Sequence, residues 1–304
     1  MAISRHQLVK ELEPGLNALF GLEYNRYDNQ HAEIYTSESS DRAFEEEVML
    51  SGFGNASVKS EGSGVAFDNA QESFSARYTH ETVALAFAIT EEAIEDNLYD
   101  RISSRYTKAL ARSMSNTKQV KAAAPLNNGL PSVDGFDSGD GVSLFNTAHT
   151  TVSGTSVKNT LSTQADLNET SLEQAMIDIS GMTDERGLRI AAKAVKMIVP
   201  SANQFEAERL MKSQGRVGTA DNDINALGSM GMIPQGYRVN NYLTDTDSFY
   251  IITDVPNGMK MFTRAPLTTA MEGDFDTGNV RYKARERYSF GVSDFRGIFG
   301  VEGA

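Results

Sequence analysis

The chain has 304 residues, 40% apolar and 23% charged, which is enough apolar matter for a sizeable core and rules out global disorder. It has no cysteine, no apolar run near the ~18 residues of a membrane span and no apolar h-region after Met1, so disulfides, thiolate chemistry, a transmembrane helix and a secretory signal are excluded. The net charge of −13 lies wholly in residues 1–100, which hold 6 Lys+Arg against 19 Asp+Glu while the remainder holds 22 of each; such asymmetry marks a docking arm or an acidic solvated face.

In chain order, residues 1–44 read as a loosely structured arm, broken at Pro14-Gly15 and polar without sustained period over 25–30 and 36–41. From Glu45-Glu46-Glu47, a glycine-spaced stretch (Gly52, Gly54, Gly62, Gly64) and strand-like segments at 73–78 and 83–89 predict an extended β-rich excursion over 45–89. At Thr90, an N-cap residue, the pattern changes. Glu91, Glu92, Glu95 and Asp96 follow where a helix dipole favours carboxylates. Leu98, Ile102, Tyr106, Ala109 and Leu110 then form one apolar arc, with Arg101, Arg105, Lys108 and Arg112 as a basic stripe beside it. No Gly or Pro intervenes before Pro125, so a helix is predicted from 91 to about 121, roughly 45 Å long.

Residues 125–165 are loop-rich. Thr170-Ser171-Leu172-Glu173 has capping-box spacing, and Leu172, Ala175, Met176 and Ile179 share a helical face behind it. A buried strand is predicted at 195–199, stopped by Pro200. A second capping box, Ser201-Ala202-Asn203-Gln204, should open a helix through about Lys212. Short strands are predicted at 237–243, 248–254 and 259–262. The clearest strand closes the chain: Val280, Tyr282, Ala284, Tyr288, Phe290 and Val292 alternate with Arg281, Lys283, Arg285 and Arg287, which puts four cations on one face. Only Glu286 breaks the apolar row.

No enzymatic constellation stands out. The Gly52–Gly64 stretch lacks a Gly-Lys-Ser/Thr and the strand–helix setting of a nucleotide loop. Asp134, Asp137 and Asp140 have the wrong spacing for a calcium loop. His6, His31, His80 and His149 have no second ligand at metal spacing, and His149 is expected to bond to nearby backbone. Ser229 lacks the first glycine of a nucleophile elbow. The basic helix stripe and strand face have no RNP-type aromatics, so salt-bridge roles outcompete phosphate binding in a chain of this net charge.

The order of elements, an arm, a long β-loop, a spine helix, a mixed α/β lobe and a returning strand, resembles the major capsid protein of tailed bacteriophages, the Hong Kong ninety-seven type capsid fold. Pro14-Gly15-Leu16-Asn17-Ala18-Leu19-Phe20-Gly21 resembles the arm of one branch. Tyr78-Thr79-His80-Glu81 through Ala86-Phe87-Ala88-Ile89-Thr90-Glu91-Glu92 is similar to the exit from the extended loop into the spine helix. Leu144-Phe145-Asn146-Thr147-Ala148-His149 is similar to a recurring peripheral loop, Met197-Ile198-Val199-Pro200 with the helix around 205–211 to the axial lobe, and Tyr288-Ser289-Phe290-Gly291-Val292-Ser293-Asp294-Phe295-Arg296-Gly297 to the closing strand.

The resemblance implies an α+β capsid fold divided as N-terminal arm 1–44, extended β-hairpin loop 45–89, peripheral domain with spine helix 90–159, axial domain 160–278 and return strand 279–304. It implies a non-enzymatic shell protein of the virion, made in the host cytoplasm, without cofactor or membrane. Its partners would be itself in pentamers and hexamers around double-stranded DNA, a portal, a candidate decoration protein and packaged DNA non-specifically at most. About forty residues precede the loop, fewer than the scaffolding segment some members carry, so a separate scaffolding protein is expected. Lys59 is the loop's only lysine and no Asn–Glu pair can be placed opposite it, so no crosslinking residue is carried over. The charge pattern predicts intersubunit contacts between Glu45, Glu46 and Glu47 and the row Arg281, Lys283, Arg285 and Arg287. The alternatives are an encapsulin-type nanocompartment shell and, from another class, a soluble α/β enzyme.

Overall fold

The computed structural model describes residues 5–90, 92–93, 99–133, 135–216, 223–274 and 278–304. Along the chain come helix α1 (Arg5–Tyr24), strands β1 (Thr36–Ser39), β2 (Phe44–Leu50), β3 (Glu72–Thr79) and β4 (Glu81–Ile89), and the long helix α2 (Tyr99–Asn128). Short strands β5 (His149–Thr150) and β6 (Ser156–Val157) precede α3 (Glu169–Ser180), β7 (Ala194–Val199), α4 (Gln204–Lys212) and α5 (Ala226–Met230). The chain ends with β8 (Tyr237–Val239), β9 (Phe249–Thr253), β10 (Met259–Gly273), β11 (Val280–Val292) and β12 (Ile298–Val301).

Two four-stranded sheets carry the architecture, in the orders β1-β10-β11-β4 and β12-β9-β7-β8, with β2–β3 and β5–β6 as separate two-stranded ribbons. The period-two strand appears as β11, antiparallel to both β10 and β4. Its inward side chains Tyr282 and Ala284 lie under α1 and α2, packed with Leu16, Phe20, Leu110, Ala111 and Met114. Pro266 falls where the β10–β11 register shifts, beyond the stretch paired with β1, so its missing N–H costs no inner ladder bond. The second sheet holds the larger core, in which Met197, Ile198, Val199, Tyr250, Ile251, Ile298 and Phe299 are all nearly inaccessible. The chain's last strand thus belongs to the second sheet, away from β11.

Several local expectations are corrected. Over its described residues, 5–44, the arm is not loose: α1 runs through Pro14, because burial of Leu16 and Phe20 against α2 and β11 outweighs one missing helical bond. The 36–41 stretch supplies β1, parallel to β10. The spine helix does not stop before Pro125 but continues to Asn128, with Ala122, Ala123 and Leu126 buried on the far side. Pro125 leaves the Lys121 carbonyl without its helical donor, and one residue on, the Ala122 carbonyl accepts a 2.7 Å bond from Tyr35 Oη. The inward stripe of α2 is Ser103, Thr107, Leu110, Ala111, Met114 and Ser115; Tyr106 and Ala109 face solvent. The start of this helix, including Leu98, Glu91, Glu95 and Asp96, lies outside the described residues, as do the side chains of Arg101 and Ile102.

The cap of α3 is Asn168, two residues before the expected one, in a reciprocal box with Ser171. Asn203 precedes α4 without a cap bond, since its amide donates instead to the Asp247 and Ser248 carbonyls.

Candidate assembly surface

The β2–β3 ribbon is long, two-stranded and uncovered. Phe44, Val48, Leu50, Phe53, Val65 and Phe67 are all exposed, Phe67 to 97%. Three or more strands or a covering helix are needed for a ribbon to stand alone in water, and this one has neither along most of its length. Its root, by contrast, is fastened. The Tyr78 ring lies edge-on to Phe262, 4.8 Å between centroids, and fills the space where a side chain at Gly291 would sit, 2.6 Å from the ring. Tyr78 and Glu47 both bond to Ser293. His80, between β3 and β4, bridges Ser289 Oγ and Ser40 Oγ at 2.9 Å each.

Further along the ribbon, Asp68 pairs with Arg186 at 2.8 Å and Ser73 Oγ donates to Glu185. Glu185 is also the partner of Arg296 at 2.7 Å, which bonds Asp294 as well. Burial pushes the Asp294 carboxyl above its ordinary value, with Arg296 opposing.

The predicted acidic and basic residues have the following partners within the subunit. Glu45 accepts from Ser40 at 2.6 Å and lies 3.9 Å from Arg42. Glu46 sits 3.7 Å from Arg77, whose guanidinium also lies 4.0 Å over the Phe44 ring. Glu47 pairs with Lys260 at 2.6 Å; burial works against the ammonium, but Glu47 and Glu38 together hold Lys260 above the ordinary lysine value. Arg281 pairs with Asp274 at 2.5 Å, next to the turn. Lys283, Arg285 and Arg287 form no ion pair among the described residues. They lie on the sheet face away from the helices, flanked in register by Ala86, Ala84 and Thr82 of β4.

Glu286, the one charge in the apolar row, points the other way, into the helix-covered side. There Lys118 of α2 reaches it at 3.2 Å and Tyr24 at the end of α1 at 3.4 Å. Burial raises its carboxyl above the ordinary value, and Lys118 and Tyr24 oppose that shift. His31 is held to Gln119 of the same helix by its backbone N–H and by Nδ1, each at 3.0 Å, and burial with the nearby Lys118 pushes it down to about 4. Sequence reasoning flagged Glu286 as odd but could not find Lys118 or Tyr24, because both contacts are between elements far apart in the chain.

His149 was expected to bond backbone; instead it is fully buried, stacked 3.8 Å from Phe295, with Asp140 Oδ2 at 2.6 Å and Asn159 Oδ1 at 3.1 Å. Among the described residues no serine hydroxyl meets its ring, and Asn159 also donates to the Leu144, Phe295 and Ile298 carbonyls, so the group ties loop to core. Burial would raise Asp140, but hydrogen bonds from His149 and Ser138 hold it below its ordinary value. Of the spaced aspartates, Asp134 lies outside the described residues, and among those described no group of three His, Asp or Glu is placed to hold a metal. No described helix is long and apolar enough to cross a membrane.

Two sheets, a spine helix and a reaching ribbon define a shell-forming fold, and solved structures share it. The capsid of Myoviridae phage XM1 is 12% identical, covers 89% of this chain and 89% of its own, and has a TM-score of 0.55. The holo-SrpI encapsulin complex from Synechococcus elongatus is 8% identical over 91% of this chain and 87% of its own, with a TM-score of 0.54. Mycobacterium phage Adephagia gives 11% identity, 91% of each chain and a TM-score of 0.53. Among curated protein sequences none matches. The family model for phage capsid protein matches residues 73–301, well over half of the chain. The chain belongs to the phage capsid protein family, and is a structural shell protein of the virion.

Proposed function

We propose that this chain is the major head protein that assembles into pentamers and hexamers of an icosahedral shell enclosing double-stranded DNA, with a separate scaffolding protein, a portal and a decoration protein as partners. The observation that carries this reading is the β2–β3 ribbon beyond its root, where Val48, Leu50, Phe53, Val65 and Phe67 are exposed in the single subunit. A neighbouring copy would cover them. In this arrangement α2 with the β1-β10-β11-β4 sheet forms the peripheral part, and the β12-β9-β7-β8 sheet with α3, α4 and α5 the axial part. The unpaired row Lys283, Arg285 and Arg287 is the surface over which the neighbour's acidic ribbon passes; Glu46, half exposed and weakly held, is the carboxylate free to meet it.

Hydrogen exchange tests the reading. Residues 51–71, the part of the ribbon beyond its paired strands, should exchange rapidly in the isolated subunit and be protected in assembled particles, and equal protection in both states overturns it. An encapsulin-type shell is the second reading, favoured by the likeness to the Synechococcus elongatus structure. Particles that carry genome-length DNA support the head, and particles that carry an enzyme cargo support the nanocompartment.

A further inference from the structure

The long helix has a charge distribution that the shell contacts leave unexplained. Residues 101–133 contain six Lys+Arg and no Asp or Glu, in a chain of net charge −13. Toward its C-terminal end, Lys118 and Lys121 are paired within the chain, Lys118 with the buried Glu286 and Lys121 with Glu81 at the surface. Arg105, Lys108 and Arg112 form no ion pair among the described residues and are exposed.

Their i, i+3, i+7 spacing puts them on one stripe about 10 Å long, the length over which one strand of a duplex presents three phosphates. The stripe borders an open groove of about 780 Å³ between α1 and α2. Arg26, Tyr27, Ser113 and Asn116 also line it, all side chains of the types that contact phosphate. Its one carboxylate, Glu23, is largely buried and accepts from Tyr27 at 3.3 Å, with Arg26 at 3.5 Å.

We propose that this groove is a phosphodiester-binding surface, sequence-independent, for the backbone of double-stranded DNA. The proposal rests on the reading of the chain as the shell of a DNA-containing head. A protein partner is the poorer fit, because protein interfaces close around an apolar centre. Ala109, Ser113 and Asn116 line the groove beside these cations and Tyr106 is the single exposed aromatic between Arg105 and Lys108, whereas the ribbon offers an apolar set in Phe53, Val65 and Phe67. Tyr27 and Tyr106 are isolated and form no row on which successive bases could stack, so binding to a duplex should be to the backbone and strongly dependent on salt.

The test uses the unassembled full chain and a fluorescent duplex of about 25 base pairs, read by anisotropy between 50 and 200 mM salt, a range chosen for the sensitivity of phosphate contacts there. Wild type should lose about forty-fold in affinity across that range, the slope for roughly three released counterions. The triple variant Arg105→Gln, Lys108→Gln, Arg112→Gln should lose most of the affinity and most of the slope, with unchanged thermal unfolding. Equal slopes in the two proteins overturn the proposal. So does displacement by polyglutamate as effective as by unlabelled duplex at equal charge, which assigns the groove to an acidic protein segment. Particle formation by wild type is scored separately by negative stain: its failure counts against the shell reading, while the salt slopes alone decide the groove.

Discussion

Two long antiparallel hairpins leave the body of this protein, and their side chains meet opposite fates. In β10–β11 the inward residues Tyr282, Ala284 and Tyr288 are covered by α1 and α2 and are almost inaccessible. In the ribbon, Val48 and Leu50 of β2, and Phe53 and Phe67 of the segment that joins β2 to β3, stay in water. β11 is flanked by β10 and β4 and covered by helices, whereas β2 and β3 have only each other. A hairpin supported by helices from its own chain is finished at folding, whereas one without such support needs cover from another molecule.

The largest effect expected of that contrast is at Tyr282. Tyr282→Ala should cost the isolated subunit about 3–5 kcal/mol in urea denaturation, as deletion of a packed ring does. Phe67→Ala should change the isolated subunit's stability by no more than about 0.5 kcal/mol, yet reduce particle yield. Comparable destabilisation by both variants would mean that the ribbon is already packed at home.

The charge beneath the covered hairpin comes next. Lys118→Met should cost about 3 kcal/mol, because Glu286 is left buried without its cation. Adding Glu286→Gln should recover most of that loss, since the penalty belongs to the orphaned carboxylate and not to the missing ammonium. An unchanged penalty in the double variant would show that Lys118 acts through packing of its stem alone.

A smaller effect follows from His31, at the junction of arm and spine. Its value falls from 6.5 to about 4 in the fold. Above pH 6.5 the ring is neutral in folded and unfolded chains and the contribution is whole. As the pH drops toward 4, the unfolded chain takes up a proton that the folded one refuses, so stability falls by up to about 3 kcal/mol. Glu286 and Asp294, both raised by burial, act with the opposite sign over the carboxylate range. The readout is therefore the difference between wild type and His31→Asn, which should open between pH 6.5 and 4 in thermal unfolding; parallel curves would contradict it.

What could be read beforehand follows the same division. β11 was legible because its alternation is local, and Glu286 stood out for the same reason. The paths of α1 through Pro14 and of α2 past Pro125 were not, because each depends on partners remote in sequence: Leu110 and Met114 for Leu16 and Phe20, Tyr35 for the Ala122 carbonyl. The apolar arc of α2 was placed about one residue off, since Tyr106 and Ala109 fit the helical period as well as Thr107 and Ser103, the polar residues that face inward. The acids of the ribbon root were visible as a cluster, but their in-chain partners Arg42, Arg77 and Lys260 were not. With Glu45, Glu47 and Arg281 paired within the chain, the contact proposed above is Glu46 against Lys283, Arg285 and Arg287.

The smallest effect tests that contact. A pair at a solvated rim contributes only about 0.2–1 kcal/mol, and its reach shrinks with salt. Glu46 is already 3.7 Å from Arg77, an exposed pair that constrains it little, whereas reversing Glu47 would strand Lys260 in the fold and confuse the outcome. The informative cycle is Glu46→Lys, Arg285→Glu and their combination, with particle yield measured against ionic strength. Each single reversal should lower yield at low salt and approach wild type at high salt, because only screened charges are altered. The combination should assemble better than either single variant, since the reversed charges again attract across the contact. A combination no better than the worse single variant would place the neighbour's ribbon elsewhere and leave Lys283, Arg285 and Arg287 to solvent.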